Sequence, residues 1–176
     1  MKAFGRIKRV LLLDGRVYKE ISEDKKATLE AAVVVYASLL INFFTLLGAP
    51  SYLVVILFAG LSFWLVSAGV FHVLARIFGG HGDFWGFFRA VGYCHAPIAL
   101  GLIPFVGWPL GLLWALVCIV VATRETLRLS TLKSCLVVFV PVVFLAFVVL
   151  MLTVMVGFNA ELIMQNASFN RSLSGY

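Results

Sequence analysis

The sequence predicts an all-α integral membrane protein with five transmembrane helices, preceded by an interfacial amphipathic helix. Of the 176 residues, 62% are hydrophobic and 12% are charged, whereas soluble domains carry about 25% charged residues. The hydrophobic residues fall into five blocks, each near the length of about 20 residues that a helix needs to cross a hydrocarbon core. The basic residues are distributed as an odd number of crossings requires.

The predicted spans divide the chain into three parts. A basic leader occupies residues 1–26, a membrane domain residues 27–158, and a short polar tail residues 159–176. No cleavable signal is expected, because charges interrupt the leader at short intervals, so the first block should insert as the first anchor. The five spans are predicted at residues 27–47, 52–78, 83–103, 105–122 and 132–158.

The distribution of Lys and Arg predicts the orientation, because short cytoplasmic loops are enriched in these residues. The leader holds eight of them, the region of the second and third spans two, and the region that joins the fourth and fifth spans three. Only Arg171 lies on the opposite side. Five crossings therefore predict a cytoplasmic N-terminus and an external C-terminus, whereas four or six would spoil this asymmetry.

The leader is predicted to be the amphipathic helix, bent at Asp14–Gly15. Its apolar residues recur at helical spacing, and they are Phe4, Ile7, Leu11, Tyr18 and Ile21. The alternative is a charged juxtamembrane segment that only sets topology, which would explain the charges but not the apolar spacing. The residues predicted to contact anionic lipid head groups are Arg6, Lys8, Arg9, Arg16 and Lys19.

Within the spans, small and polar residues mark the faces where helices touch, because lipid gives apolar side chains no reason to prefer another helix. Such faces occur in the first, second and fourth spans, while the fifth consists almost wholly of Val, Leu, Phe and Met. The sequence thus predicts a four-helix core and a lipid-exposed fifth helix. The three faces are Ala27, Ala31, Ser38, Asn42 and Thr45; Ser62, Gly69 and Arg76; and Gly111, Ala115, Cys118, Ala122 and Glu125.

The start of the third span carries the first candidate functional residues. Asp83 follows three glycines that break the second helix, and it is placed to cap the third; a ligand or proton-relay role is the alternative. Arg89 lies about 9 Å further along the helix and is expected to snorkel to the inner interface. The alternative for Arg89 is an ion pair with Asp83, Glu125 or Glu30.

The second half of this span holds the stronger candidates. His95 lies about 18 Å beyond the cap, near the bilayer centre, where ionisable groups are costly and are functional hypotheses by default. Pro97 cannot donate a hydrogen bond to the Tyr93 carbonyl and should bend the helix there. His95 is either a proton relay or ligand group, or a neutral packing histidine. The candidate cluster is Asp83, Arg89, Tyr93, His95 and Pro97.

Several classes of function are not expected. The net charge of +6 is explained by membrane insertion and anionic lipid head groups, so no nucleic-acid partner is predicted. The three cysteines imply no disulfide framework, and none shows the neighbours that activate a nucleophile. Cysteines, histidines and Asp83 lack the paired spacing of zinc ligands. We therefore expect no enzyme, no metal and no cofactor.

One stretch resembles a known family. The run Gly92-Tyr93-Cys94-His95-Ala96-Pro97, preceded by Phe88-Arg89-Ala90, resembles the G-Y-x-x-x-P region of the Yip family of Rab-interacting membrane proteins. The segment from Leu13-Asp14 through Lys25 is similar to the leader of prokaryotic members. Residues 104–114 resemble the Pro, Gly and Trp turn into the fourth helix of that family. The resemblance covers residues 8–150.

The resemblance implies a multi-spanning fold with a cytosolic N-terminus, in the cytoplasmic membrane of a prokaryote or in an endomembrane if the host is eukaryotic. Eukaryotic relatives are associated with Rab GTPases and transport-vesicle formation, often as oligomers. The D-L-Y-G-P motif of those relatives does not occur in this sequence. GTPase binding is therefore not carried over, and the chain resembles a prokaryotic-type member.

The leading hypothesis is a non-enzymatic membrane protein that organises the bilayer or assembles partner proteins, a second copy of itself among them. The competing hypothesis is a transporter or channel for a proton, ion or lipid, with His95 at the Pro97 kink as its gate or relay. A lipid-modifying enzyme comes third, and it would require a water-filled cavity that joins Asp83, Arg89 and His95.

Overall fold

The computed structural model describes the backbone of residues 2–46, 53–103 and 105–174, and this part of the chain contains helices and no strand. Pro104 and the side chain of Thr45 lie outside the described residues. The elements are α1 (Lys2–Leu11), α2 (Gly15–Glu23), α3 (Ala27–Leu46), α4 (Leu53–Ile77), α5 (Phe84–Tyr93), a 3₁₀ helix (Ala96–Leu102), α6 (Gly107–Leu127) and α7 (Thr131–Ser174).

The chain forms two compact units, Met1–Val138 and Phe139–Tyr176. The second unit consists of the later part of α7, which continues as helix through the predicted polar tail to Ser174. Its apolar side chains between residues 143 and 158 are mostly exposed. Exposed side chains of this kind fit the lipid-facing helix that the sequence predicts for the fifth span.

Within the described part of the chain, three helices are individually long and apolar enough to cross a membrane: α4, α6 and the stretch Thr131–Asn159 of α7. Among the described residues, α2 and α3 pass the same test only as a pair, with a bend of 117° between them. The protein is thus all-helical with three or four candidate spans, and five crossings remain a prediction.

The predicted third span, residues 83–103, is not one α-helix. The α-helix ends at Tyr93, and after two turn residues the chain continues as the 3₁₀ helix with Pro97 near its start. The physical reason is the one expected for proline, which supplies no backbone N–H to continue the α-helical pattern. The sequence located the break but underestimated it, because a kink was expected and a change of helix type is found.

Two polar side chains of α3 compensate for this break. The Ser38 hydroxyl donates to the His95 carbonyl at 2.9 Å, and the Asn42 amide donates to the Ile98 carbonyl at 3.1 Å. Both carbonyls belong to the region where regular α-helical pairing stops, and the His95 carbonyl also accepts from the Ile98 N–H at 3.0 Å. The polar face predicted on the first span therefore contacts the broken segment.

Replacing Ser38 with Ala should destabilise the fold by about 1 kcal/mol, because the part-buried His95 carbonyl would lose one of its donors and keep the Ile98 N–H. Ser67→Ala is the matched control, since the Ser67 hydroxyl bonds only the Trp64 carbonyl of its own helix. Thermal unfolding in detergent micelles measures both variants. Equal melting temperatures for the two would show that the contact with His95 contributes nothing.

The contact face of α4 differs from the predicted one. Ser62 and Arg76 are exposed, and a Cβ atom at Gly69 would meet no atom within 4 Å. The buried face is instead organised around Trp64, whose ring stacks on Phe88 at 3.9 Å and whose N–H donates to the Phe88 carbonyl. This large aromatic contact outweighs the row of small residues. The buried residues are Trp64, Ala68, Phe71 and Ala75.

The leader folds onto the helices of its own unit. Asp14 caps α2 by accepting from the Arg16 N–H at 3.0 Å, which separates α1 from α2 at the predicted bend. Tyr18 and Ile21, expected on a lipid-facing surface, are instead fully buried, because α2 packs against α5 and α6. The Tyr18 hydroxyl donates to the Val10 carbonyl of α1 at 3.3 Å, which joins the two helices of the leader.

Candidate functional site

Asp83 has the capping role that was expected for it. Its side chain accepts a hydrogen bond from the Gly86 N–H at 2.8 Å, and its backbone is extended where α5 begins. This bond satisfies one of the N–H groups that a helix leaves unpaired at its start. The second carboxylate oxygen retains acceptor capacity.

Arg89 takes neither of the predicted roles. Its side chain is buried, and one guanidinium nitrogen donates to the backbone carbonyl of Ser22 on α2. No hydrogen-bond partner is found for its Nε within the described part of the chain. The side chain is directed to the Ser22 carbonyl and is 7% exposed, so it does not reach the surface of the described fold. Arg89 therefore joins α2 to α5 through a backbone carbonyl rather than through an ion pair.

His95 lies apart from Asp83 and Arg89. Its Nδ1 is 3.0 Å from the Val91 carbonyl oxygen one turn earlier, and its own carbonyl accepts from Ser38. Pro97 borders an apolar groove of about 520 Å³ between α1, the 3₁₀ helix and α6, whose lining does not include His95. No observation on the described residues favours a transport role for His95.

Tyr93 belongs to a group of interacting side chains that the sequence analysis did not predict. It is fully buried, and its hydroxyl donates to the carboxylate of Glu30 on α3. The same carboxylate accepts from the guanidinium of Arg6 on α1 at 3.0 Å. Tyr93, the last residue of α5, thus belongs to a charged cluster that ties the leader to the helices of the membrane domain.

Arg6 is the centre of this cluster. Its side chain is only 6% exposed, and its three nitrogens each contact a different carboxylate. The distances are 3.1 Å to Glu20, 2.7 Å to Asp24 and 3.0 Å to Glu30. A planar guanidinium suits such an arrangement because it presents several donors in fixed directions. We call Arg6, Glu20, Asp24, Glu30 and Tyr93 the N-terminal charge cluster.

The predicted lipid-contact set must be corrected at Arg6. Its guanidinium is occupied by carboxylates and shielded, so it is not available to a head group. Arg9 is half-buried and pairs with Asp14 and Glu20, each at 2.8 Å. The side chains of Lys8, Arg16 and Lys19 are exposed, and they remain candidates for surface contact.

A signal for the cluster was present in the sequence. Five of the eight acidic residues lie between positions 14 and 30, within and just after a leader that was interpreted by its basic residues alone. Acidic residues so close to a basic helix indicate internal pairing as well as surface charge. Their pairing with Arg6 required the fold, because Glu30 and Arg6 are brought together only when α1 returns towards α3.

The cluster shifts the protonation of its members. Burial alone would lower the pKa of Arg6, but hydrogen bonds to Asp24 and Glu20 raise it above its ordinary value. Hydrogen bonds from Arg6 and Arg9 lower the pKa of Glu20. Hydrogen bonds from the Arg9 side chain and the Arg16 N–H lower the pKa of Asp14. The folded state therefore favours the charged forms of these groups.

Acidification should weaken this region. Because the folded pKa values of Glu20 and Asp14 lie below their ordinary values of 4.5 and 3.8, the stabilisation is present above that range and is lost as pH falls through the folded values. Melting temperatures measured in detergent between pH 7 and 3 should fall less for Glu20→Gln than for the unmodified chain. Parallel pH profiles would contradict the assignment, since the variant lacks one of the titrating carboxylates.

Comparison with known proteins adds one finding. A family model described as the Yip1 domain matches residues 8–153. The matched region includes α2 to α6 and all five residues of the cluster predicted from sequence, whereas Arg6 precedes it. No curated protein and no solved structure matches the chain.

Proposed function

The chain belongs to the Yip family, and on that premise we propose that it is a non-enzymatic membrane scaffold. It organises the surrounding bilayer or assembles partner proteins through the cytoplasmic surface of α1 and α2. Family membership and the apolar helices support a membrane location. We assign the cytoplasmic membrane of a prokaryote, or an endomembrane if the host is eukaryotic. GTPase binding is not part of the proposal.

One observation carries the proposal. The apolar face of α2 is covered by protein. The basic side chains of Lys8 on α1 and of Arg16 and Lys19 on α2 are exposed. A flexible leader could place its charges anywhere, whereas a packed one holds them in a fixed arrangement. Basic residues near a membrane surface attract anionic head groups by about 1 kcal/mol each. We call Lys8, Arg16 and Lys19 the basic surface.

The proposed topology keeps the N-terminus cytoplasmic and the C-terminus external. Five crossings satisfy the distribution of basic residues. The same orientation results if α5, the 3₁₀ helix and α6 together enter and leave the bilayer on the same side. The predicted third and fourth spans then do not cross, and the number of crossings falls from five to three and stays odd. Parity therefore supports the orientation more strongly than it supports the number of spans.

Charge reversal tests the role of the basic surface without disturbing the core. The variant Lys8→Glu, Arg16→Glu, Lys19→Glu should retain several-fold less anionic lipid when the protein is extracted from a mixed phosphatidylcholine and phosphatidylglycerol membrane in polymer nanodiscs. The matched control is Lys8→Arg, Arg16→Lys, Lys19→Arg, which keeps every charge. Lipid analysis of the purified discs gives the readout. Equal anionic fractions in both variants would remove the support for this surface.

A further inference from the structure

A polar cavity of about 360 Å³ lies where the end of α2, the segment that joins α4 to α5 and the end of α6 meet. Its wall carries two acidic side chains, Glu23 and Asp83, and two basic ones, His81 and Arg128. None of these four belongs to the basic surface or to the N-terminal charge cluster. The cavity is therefore a separate feature, with both signs of charge in one wall.

The wall of the cavity is held in place by hydrogen bonds. The His81 N–H donates to the Leu127 carbonyl at 2.8 Å, which fixes the joining segment to the end of α6. The Arg76 guanidinium donates to the Gly82 carbonyl at 2.9 Å and ties the same segment to α4. These contacts hold the backbone of the joining segment without a ligand, so binding would have to order only the exposed charged side chains of the wall.

Two residues that the sequence selected belong to this wall or support it. Asp83 lines the cavity, and its carboxylate uses one oxygen to cap α5. Arg89 donates to the carbonyl of Ser22, which lines the opposite side on α2. Arg89 thus acts as a positioning residue that holds α2 against α5 beside the cavity.

The mixed charge restricts what the cavity can bind. A simple anion would be repelled by Glu23 and Asp83, and a simple cation by Arg128. Among the described residues, no group of three or more His, Cys, Asp or Glu side chains is placed to hold a metal ion. A ligand that carries both charges meets a partner for each, and charge-assisted hydrogen bonds are stronger than neutral ones.

We propose that this cavity binds a zwitterion composed of a phosphoryl anion and a primary ammonium, the chemistry of an ethanolamine phospholipid head group. The phosphoryl group is held by Arg128 and His81, and the ammonium donates to Glu23 and Asp83. The cavity lies at the ends of two candidate spans, α4 and α6, where head groups are found. This inference goes beyond the scaffold function and uses none of the residues of the basic surface.

Binding to the purified protein in detergent micelles tests the proposal. Short-chain phosphatidylethanolamine should bind about tenfold more tightly than phosphatidylcholine, whose quaternary ammonium cannot donate a hydrogen bond. It should also bind more tightly than phosphatidylglycerol, which lacks a cation, when both are measured on the variant Lys8→Glu, Arg16→Glu, Lys19→Glu, in which the basic surface is removed. Native mass spectrometry counts the bound lipids. Free phosphoethanolamine distinguishes a soluble ligand from a lipid. If it binds with the same affinity as short-chain phosphatidylethanolamine, the ligand is soluble. If it competes more weakly than the lipid does, the ligand is the lipid. Equal binding of the three lipids would overturn the proposal.

Two variants test which side chain of the cavity binds which charged group of the ligand. Glu23→Gln should reduce the preference for ethanolamine over choline several-fold, because Asp83 remains as the second acceptor for the ammonium. Arg128→Gln should weaken every phosphate-bearing ligand by about tenfold. The matched control is Lys25→Gln, an exposed position outside both the cavity and the basic surface, which should bind as the unmodified chain does. If both cavity variants melt normally, and either Glu23→Gln keeps the full ethanolamine preference or Arg128→Gln keeps the full affinity for phosphate-bearing lipids, the site is wrong. Loss of anionic lipid enrichment in Lys19 variants concerns only the scaffold proposal.

Discussion

Replacement of Arg6 by Met should destabilise the protein by about 3 kcal/mol, near the lower end of the cost of breaking a buried ion pair. The three carboxylates that now surround the guanidinium would repel one another, and Glu30 would keep only the Tyr93 hydroxyl among the partners described above. The lower end applies because the acidic side chains are partly exposed. Denaturant unfolding in micelles measures the global loss, and hydrogen exchange over residues 2–23 measures the local one.

Lys8→Met is the control for this change, because it removes a basic residue from the same helix at an exposed position. Its stability should stay within about 0.5 kcal/mol of the unmodified chain. Hydrogen exchange should accelerate in α1 and α2 only for the Arg6 variant. If the two variants had equal free energies of unfolding, the N-terminal charge cluster would not stabilise the fold.

Replacement of Gly111 by Ala should cost about 1 to 3 kcal/mol through overpacking. A Cβ atom at this position would lie 2.6 Å from the Pro97 carbonyl oxygen and 3.2 Å from the Ile98 Cα. Both atoms belong to the backbone of the 3₁₀ helix, so no side-chain rotation can relieve the contact. The two elements would have to separate, which would weaken the packing beside the break in the predicted third span.

Gly69→Ala provides the matched comparison within a candidate membrane helix. A Cβ atom there would meet nothing within 4 Å, so the substitution should be neutral or stabilising by up to about 1 kcal/mol. Thermal unfolding of both variants in the same detergent gives the comparison. A larger loss for Gly69→Ala than for Gly111→Ala would contradict the packing described for α6.

The sequence predicted the helical class and the capping role of Asp83 because each depends on local chemistry. Hydrophobic block length determines whether a helix can span a bilayer, and an acidic residue after glycines is a common helix start. The break near Pro97 was also local, since it follows from the missing N–H. Its size was not predictable, because the donors that accommodate it, Ser38 and Asn42, come from another helix.

The roles of Arg6 and Arg89 could not be obtained in this way. The role of each arginine depends on which helix packs over its side chain. The helix α2 packs against both α5 and α6. The sequence assigned the apolar face of the leader to lipid, because lipid and protein bury apolar side chains with the same periodicity. Distinguishing them requires a contact between the leader and another helix, such as the bond from the Arg89 guanidinium to the Ser22 carbonyl.

The packing of α2 against α5 is the central claim, because it fixes the basic surface and one wall of the cavity. A Cβ atom at Gly86 would lie 3.1 Å from the Ser22 Cβ and 3.0 Å from the Ser22 carbonyl oxygen, so a small outward shift of the two helices brings the Cβ atoms to the separation of about 3.5 to 4.5 Å found across disulfides. Ser22→Cys combined with Gly86→Cys should therefore form a disulfide under mild oxidation in native membranes, detected as a linked peptide by mass spectrometry. Ser22→Cys with Gly69→Cys should not. Equal yields from the two pairs would contradict the packed leader and favour a helix that lies on the bilayer surface.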